Sequence, residues 1–151
     1  MNNPTTITQR LLAAKRIARI SLGLVWIYEG LVPKVLFAAH HPEQTELVLR
    51  SGLYWPDPTL TLFALGLLQA ALGLVLVMGW LEKWAVAAAT AWMGGLIFLV
   101  AQGRPDLMTD PFGALAKDAC LIGCAAVVWI LAEIPVDARI GKEFAMRGVK
   151  Q

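Results

Sequence analysis

Four long apolar stretches, at about residues 17–39, 59–81, 84–101 and 114–132, restrict the fold of this chain more than any other feature. A helix needs roughly 20 apolar residues to cross about 30 Å of hydrocarbon at 1.5 Å per residue, and each stretch meets or approaches that length. Lipid offers no partner to an unpaired backbone group, so each stretch reads as a helix rather than an open strand. The expected fold is all-α: an integral membrane bundle of four transmembrane helices. A hydrophobic fraction of 58% and a mean hydropathy of +0.61 exceed what a soluble domain of 151 residues carries, and that length holds one domain.

The first stretch has a rival reading as a cleaved secretory signal, because Arg10, Lys15, Arg16 and Arg19 precede it. Glu29 and Lys34 interrupt the core such a signal needs, and no small-x-small cleavage site follows at residues 37–39, so a retained span is expected. With four spans both termini share a side. That side carries Arg10, Lys15, Arg16, Arg19, Lys83, Arg139, Lys142, Arg147 and Lys150, against Lys34, Arg50, Arg104 and Lys117 on or near the other. The asymmetry predicts an inner-membrane protein with both termini cytoplasmic. A net charge of +2 distributed in this way gives no support to nucleic-acid binding; it suits contact with anionic lipid headgroups.

Flanking segments add to the architecture. Leu11, Leu12, Ile17 and Ile20 alternate with basic residues, which predicts an amphipathic lead-in at the membrane surface; Val136, Ile140 and Phe144 predict a second one after Pro135. Trp80, Trp84, Tyr54 and Trp55 sit where interfacial anchors belong. In the first outer connection, residues 40–58, Pro42 can start a short helix and Ser51 with Gly52 can stop it. The second, residues 102–113, holds Gly103, Pro105, Pro111 and Gly113 and reads as an irregular loop. Gly66, Gly73, Gly94 and Gly95 permit close packing of helices.

Charges inside a span mark functional positions. Glu29 lies ten residues before the outer end of the first span and Gln69 ten residues into the second, which puts both ~15 Å deep; they can share a hydrogen bond if their helices face each other, or Glu29 can stay protonated. Lys34 and Asp118 lie ~7 Å deep on the first and fourth spans and are expected to form an ion pair, with Lys117 close by. Pro33 deprives the carbonyl of Glu29 of its usual helical donor. Together Glu29, Lys34, Gln69, Lys117 and Asp118 predict a polar pocket that opens outward and binds a ligand. The competing reading is structural: snorkelling lysines, with a protonated Glu29 joining helices through Gln69.

Other chemistry is weakly signalled. Cys120 and Cys124 share one face of the fourth span and read as packing residues, and His40 with His41 reads as a solvent-exposed pair that would need Glu43 or Asp57 to hold a metal. No histidine pair brackets a haem and no glycine loop cradles a phosphate. Any redox cofactor must be diffusible or belong to a partner.

Residues 23–34 (GLVWIYEGLVPK), His41-Pro42-Glu43, residues 50–53 (RSGL), and Asp110-Pro111-Phe112-Gly113 followed by Lys117-Asp118 resemble the DoxX-like family of small four-helix membrane proteins. The family often has His where this chain has Asp110. The resemblance implies the four-span topology and an association with membrane-bound quinol and sulfur-compound oxidation. It suggests a subunit that binds a small hydrophobic or anionic ligand in the outer half of the bundle, quinone being the candidate, without a catalytic motif of its own, serving a soluble or membrane redox partner. A non-catalytic scaffold or assembly factor, and a small-solute or proton pathway through Glu29, are the alternatives; self-association is left open.

Overall fold

The computed structural model describes residues 4–52, 54–103 and 114–132, and every regular element among them is helical. Five α-helices follow in order: α1 (Pro4–Leu31), α2 (Pro42–Ser51), α3 (Pro58–Met78), α4 (Glu82–Gly103) and α5 (Ala114–Leu131). A π-helical turn (Val32–Leu36) and a 3₁₀ turn (Ala38–His40) join α1 to α2. Two of these helices, α3 and α4, are long and apolar enough to cross a membrane. Glu29 lies on α1, Lys34 in the π turn, and Lys117 with Asp118 on α5. The expected second surface helix and most of the second connection lie outside the described residues.

Sequence signals set most of the boundaries. Pro42 occupies the first turn of α2, and Gly52 (φ 67°) ends it in the left-handed region while its N–H donates to the Leu49 carbonyl at 3.2 Å. Asp57 caps α3, its carboxylate accepting from the Thr59 and Leu60 N–H groups at 2.8 and 3.0 Å. Gly79 (φ 75°) ends α3 by donating to the Val75 and Leu76 carbonyls, and a tight turn follows in which Leu81 holds φ 52°.

The lead-in runs straight into the first span, as its pattern predicts, in one continuous helix from Pro4. The departure from expectation is at the outer end, where the α-helix stops at Leu31 instead of running to residue 39. Pro33 is the cause: it lacks an N–H and its ring collides with the carbonyl of the preceding turn, so the chain widens into a π turn closed by the Phe37 N–H donating to Val32 O at 2.9 Å.

α1 and α3 lie closest together. A Cβ on Gly23 would come within 2.7 Å of the Gly73 carbonyl, and one on Gly73 within 2.7 Å of the Gly23 carbonyl. One heptad along, Gly30 and Gly66 meet in the same reciprocal way, at 2.5 and 2.7 Å. These four glycines let two backbones touch, as the small-residue rule for helix pairs describes. Gly94 and Gly95, equally suggestive in the sequence, face open space.

The half of the bundle next to the α3–α4 turn is solid. Leu22, Trp26, Leu76, Ala85, Val86, Ala89, Met93, Ala125 and Val128 pack there into one core from α1, α3, α4 and α5. At its edge Lys15, only 5% exposed, reaches Glu82 at 2.5 Å, and Arg19 holds the same carboxylate from the next turn of α1. The acidic residue sits in the first turn of α4, where it also favours the helix dipole. This clamp was not foreseen from sequence, since the basic lead-in was expected to face lipid headgroups.

Candidate functional site

Toward the α2 end the bundle is hollow. A cavity of about 340 Å³ lies among α1, α3, α4 and α5 under the cover of α2. Its walls are apolar, with Leu62 and Leu65 from α3, Trp92, Leu96 and Ile97 from α4, and Leu121 from α5. At its inner end stand Trp26 and Met93, which belong to the packed core as well. Gln44, Leu47, Val48 and Ser51 of α2 line it from above.

All five polar residues singled out in the sequence line this cavity: Glu29, Lys34, Gln69, Lys117 and Asp118. Their pairing differs from expectation. Gln69 does not bond Glu29; its side-chain oxygen accepts from Lys34 Nζ at 2.5 Å. Lys34 is not paired with Asp118 either, and its second contact is donation to the Glu29 backbone carbonyl at 3.1 Å. The carbonyl that Pro33 strips of its helical donor is thus served by the side chain of the next residue. Glu29 turns its carboxylate to Lys117 on α5, at 2.8 Å.

The packing explains the exchange of partners. Lys34 is laid against Gly66, where a Cβ would stand 2.8 Å from the lysine Cβ. Gln69 lies three residues further on the same face of α3, within reach of the ammonium group. Glu29 precedes Gly30, the residue pressed on Gly66, so its side chain emerges beside that contact and faces α5. Asp118 feels the charges of Lys117, Glu29 and Lys34. Among the described residues it makes no hydrogen bond or ion pair.

Two features of the cavity carried no sequence signal. Trp26 and Trp92 have buried indole nitrogens without a hydrogen-bond partner, and aromatic residues in apolar spans read simply as filling. The α2 contribution was hidden because a short amphipathic helix does not reveal what it covers.

The remaining candidates stand apart. His41 pairs with Glu43 at 2.9 Å and His40 meets the Phe37 ring edge-on, both outside the cavity lining. Among the described residues no group of three metal-ligating side chains comes together. Cys120 is exposed and Cys124 packs at the edge of the core, both as free thiols. Asp110 lies outside the described residues.

Chemically, the site offers an apolar chamber with a hydrogen-bonding layer of two ammonium groups, two carboxylates and the Gln69 amide, and α2 adds the Gln44 amide and the Ser51 hydroxyl to the lining. No curated protein and no solved structure matches the chain. The sequence model of the DoxX-like family matches residues 23–131, a span that holds every one of the five polar residues and well over half of the sequence, and the chain therefore belongs to the DoxX-like family.

Proposed function

We propose that this chain is a multi-pass protein of the cell inner membrane whose four long helices all span the bilayer, with both termini in the cytoplasm. It holds a small hydrophobic or anionic ligand, quinone being the candidate its family resemblance suggests, and serves a membrane oxidoreductase as an accessory subunit. The cavity carries this reading: a chamber of about 340 Å³, apolar along its walls and polar at one end, suits an apolar molecule with a polar head. In it Lys34 and Lys117 are the donors to the head, and Glu29 and Gln69 fix those two ammonium groups. The apolar α3 and α4 and the basic asymmetry of the chain support the location.

The test is mass spectrometry of the protein released gently from its native membrane, with organic extraction of the same sample. A bound hydrophobic molecule at about one per chain is expected, and it should be lost when the chamber is filled by Leu65→Trp. A second reading draws on the contacts Lys34–Gln69 and Glu29–Lys117, which tie α1 to α3 and to α5 and suit a scaffold whose polar residues specify helix packing. A ligand-free protein that carries a stoichiometric partner would favour the scaffold and overturn the ligand reading.

A further inference from the structure

We infer that the head of the occupant is uncharged and both donates and accepts a hydrogen bond, as a hydroxyl does, which within the quinone reading selects the reduced, hydroxyl-bearing form; this rests on the cavity being a ligand site. The argument is the balance of charge and of hydrogen bonds in the polar layer. Lys34 and Lys117 supply two positive charges, Glu29 and Asp118 two negative ones, and all four line the same chamber. The layer is formally neutral, so it holds no surplus charge to attract an ion.

The partners sharpen this. Lys117 is engaged by the Glu29 carboxylate at 2.8 Å, so an anionic head must displace that carboxylate or share its cation. Lys34 already donates to Gln69 Oε1 and to Glu29 O, at 2.5 and 3.1 Å, and keeps one of its three protons. Asp118 has no hydrogen-bond partner among the described residues and is half-buried beside them. It is an acceptor in search of a donor and a negative charge that repels any anion brought into the layer. An ammonium head would satisfy Asp118 but would sit among two lysines. A hydroxyl donates to Asp118 and accepts from Lys34 or Lys117 without disturbing either existing contact. Behind the head, the walls accept an apolar body as far as Trp26, which lies eight residues from Lys34 along the chain, or about 12 Å.

Four probes of one length separate the possibilities: 8-bromo-1-octanol, 8-bromooctanoate, 8-bromooctylammonium and 1-bromooctane. The bromine at the far end quenches tryptophan fluorescence on close approach, and with the head in the polar layer it reaches Trp26 and Trp92. Quenching is measured on the detergent-solubilised full chain at equal micelle-phase concentrations, and the part lost in the Trp26→Phe, Trp92→Phe double variant is assigned to the cavity. The alcohol should bind about tenfold or more tightly than the carboxylate, the ammonium and the hydrocarbon. Asp118→Asn removes one negative charge and should raise carboxylate affinity about tenfold, while the alcohol changes little because an amide oxygen still accepts its proton.

A wild-type preference for the carboxylate or the ammonium probe would overturn the inference and leave the cavity as a ligand site. Equal binding of alcohol and hydrocarbon would show that the polar layer does not read the head at all. Cavity-assigned quenching absent for all four probes would remove the ligand site itself. An alcohol preference untouched by Asp118→Asn, with no gain for the carboxylate, would refute the charge argument. If that variant does not fold, the wild-type ranking decides.

Discussion

Glu29 and Lys117 meet at 2.8 Å with 29% and 41% of their side chains exposed, which places them between a buried pair and a surface one. Exposed pairs contribute little because water screens them and two long side chains lose freedom. A double-mutant cycle with Glu29→Ala and Lys117→Ala, followed by unfolding of the detergent-solubilised protein, should give a coupling of about 0.5–1 kcal/mol. The cycle on Lys34 and Asp118 should give less than half of that, and a larger value there would restore the pairing that depth alone suggested. That the five polar residues gather in one layer was legible in the sequence, because their places along the apolar stretches put them toward the same end. Rotation was not. The π turn at Pro33 adds a residue to one turn of α1, and each side chain beyond it points away from where an unbroken helix would send it. Lys34 lies inside that turn, so its partner differs from the one that the unbroken helix predicts, while it still lines the same cavity.

At the scale of elements, the α1–α3 pair has the least tolerance for change. Ala at Gly30 or at Gly66 would put a methyl group 2.5 or 2.7 Å from a carbonyl of the facing helix, and backbone cannot yield as a side-chain tip can. Each substitution should cost about 1–3 kcal/mol through overpacking. Gly94→Ala and Gly95→Ala meet nothing within 4 Å and should be neutral or stabilising by up to about 1 kcal/mol, the difference in helix propensity. Denaturant unfolding of the four single variants checks both expectations; equal losses at all four positions would mean that the heptad contacts do not set the approach of α1 to α3. The sequence displays glycines without saying which ones face a neighbour, since α3 and α4 are apolar all round and leave no polar face to orient them. Capping is different: Pro42 and Gly52 act on the backbone beside them, so the limits of α2 could be read locally.

For the molecule as a whole, the proposed topology puts α2 and the α3–α4 turn on opposite sides of the bilayer. Replacing Cys120 and Cys124 by Ala should leave stability within about 1 kcal/mol, since one is exposed and the other lies at the core edge. In that background a cysteine at Glu43 should react with an impermeant thiol reagent from outside intact cells, and one at Lys83 only after the cytoplasmic face is opened. The reverse pattern would invert the protein, and equal labelling from one side would abolish the spanning arrangement. The solid half of the bundle gives this geometry a further meaning. Under the proposed topology and ligand reading, a vessel packed solid at its base exchanges its occupant at the α2 end, so its occupancy follows the supply of ligand there and is indifferent to the compartment beneath the α3–α4 turn. In that arrangement it samples one side of a barrier. It cannot run down a gradient across it unless Leu22, Leu76, Ala89 and Val128, packed shoulder to shoulder at the base, first come apart.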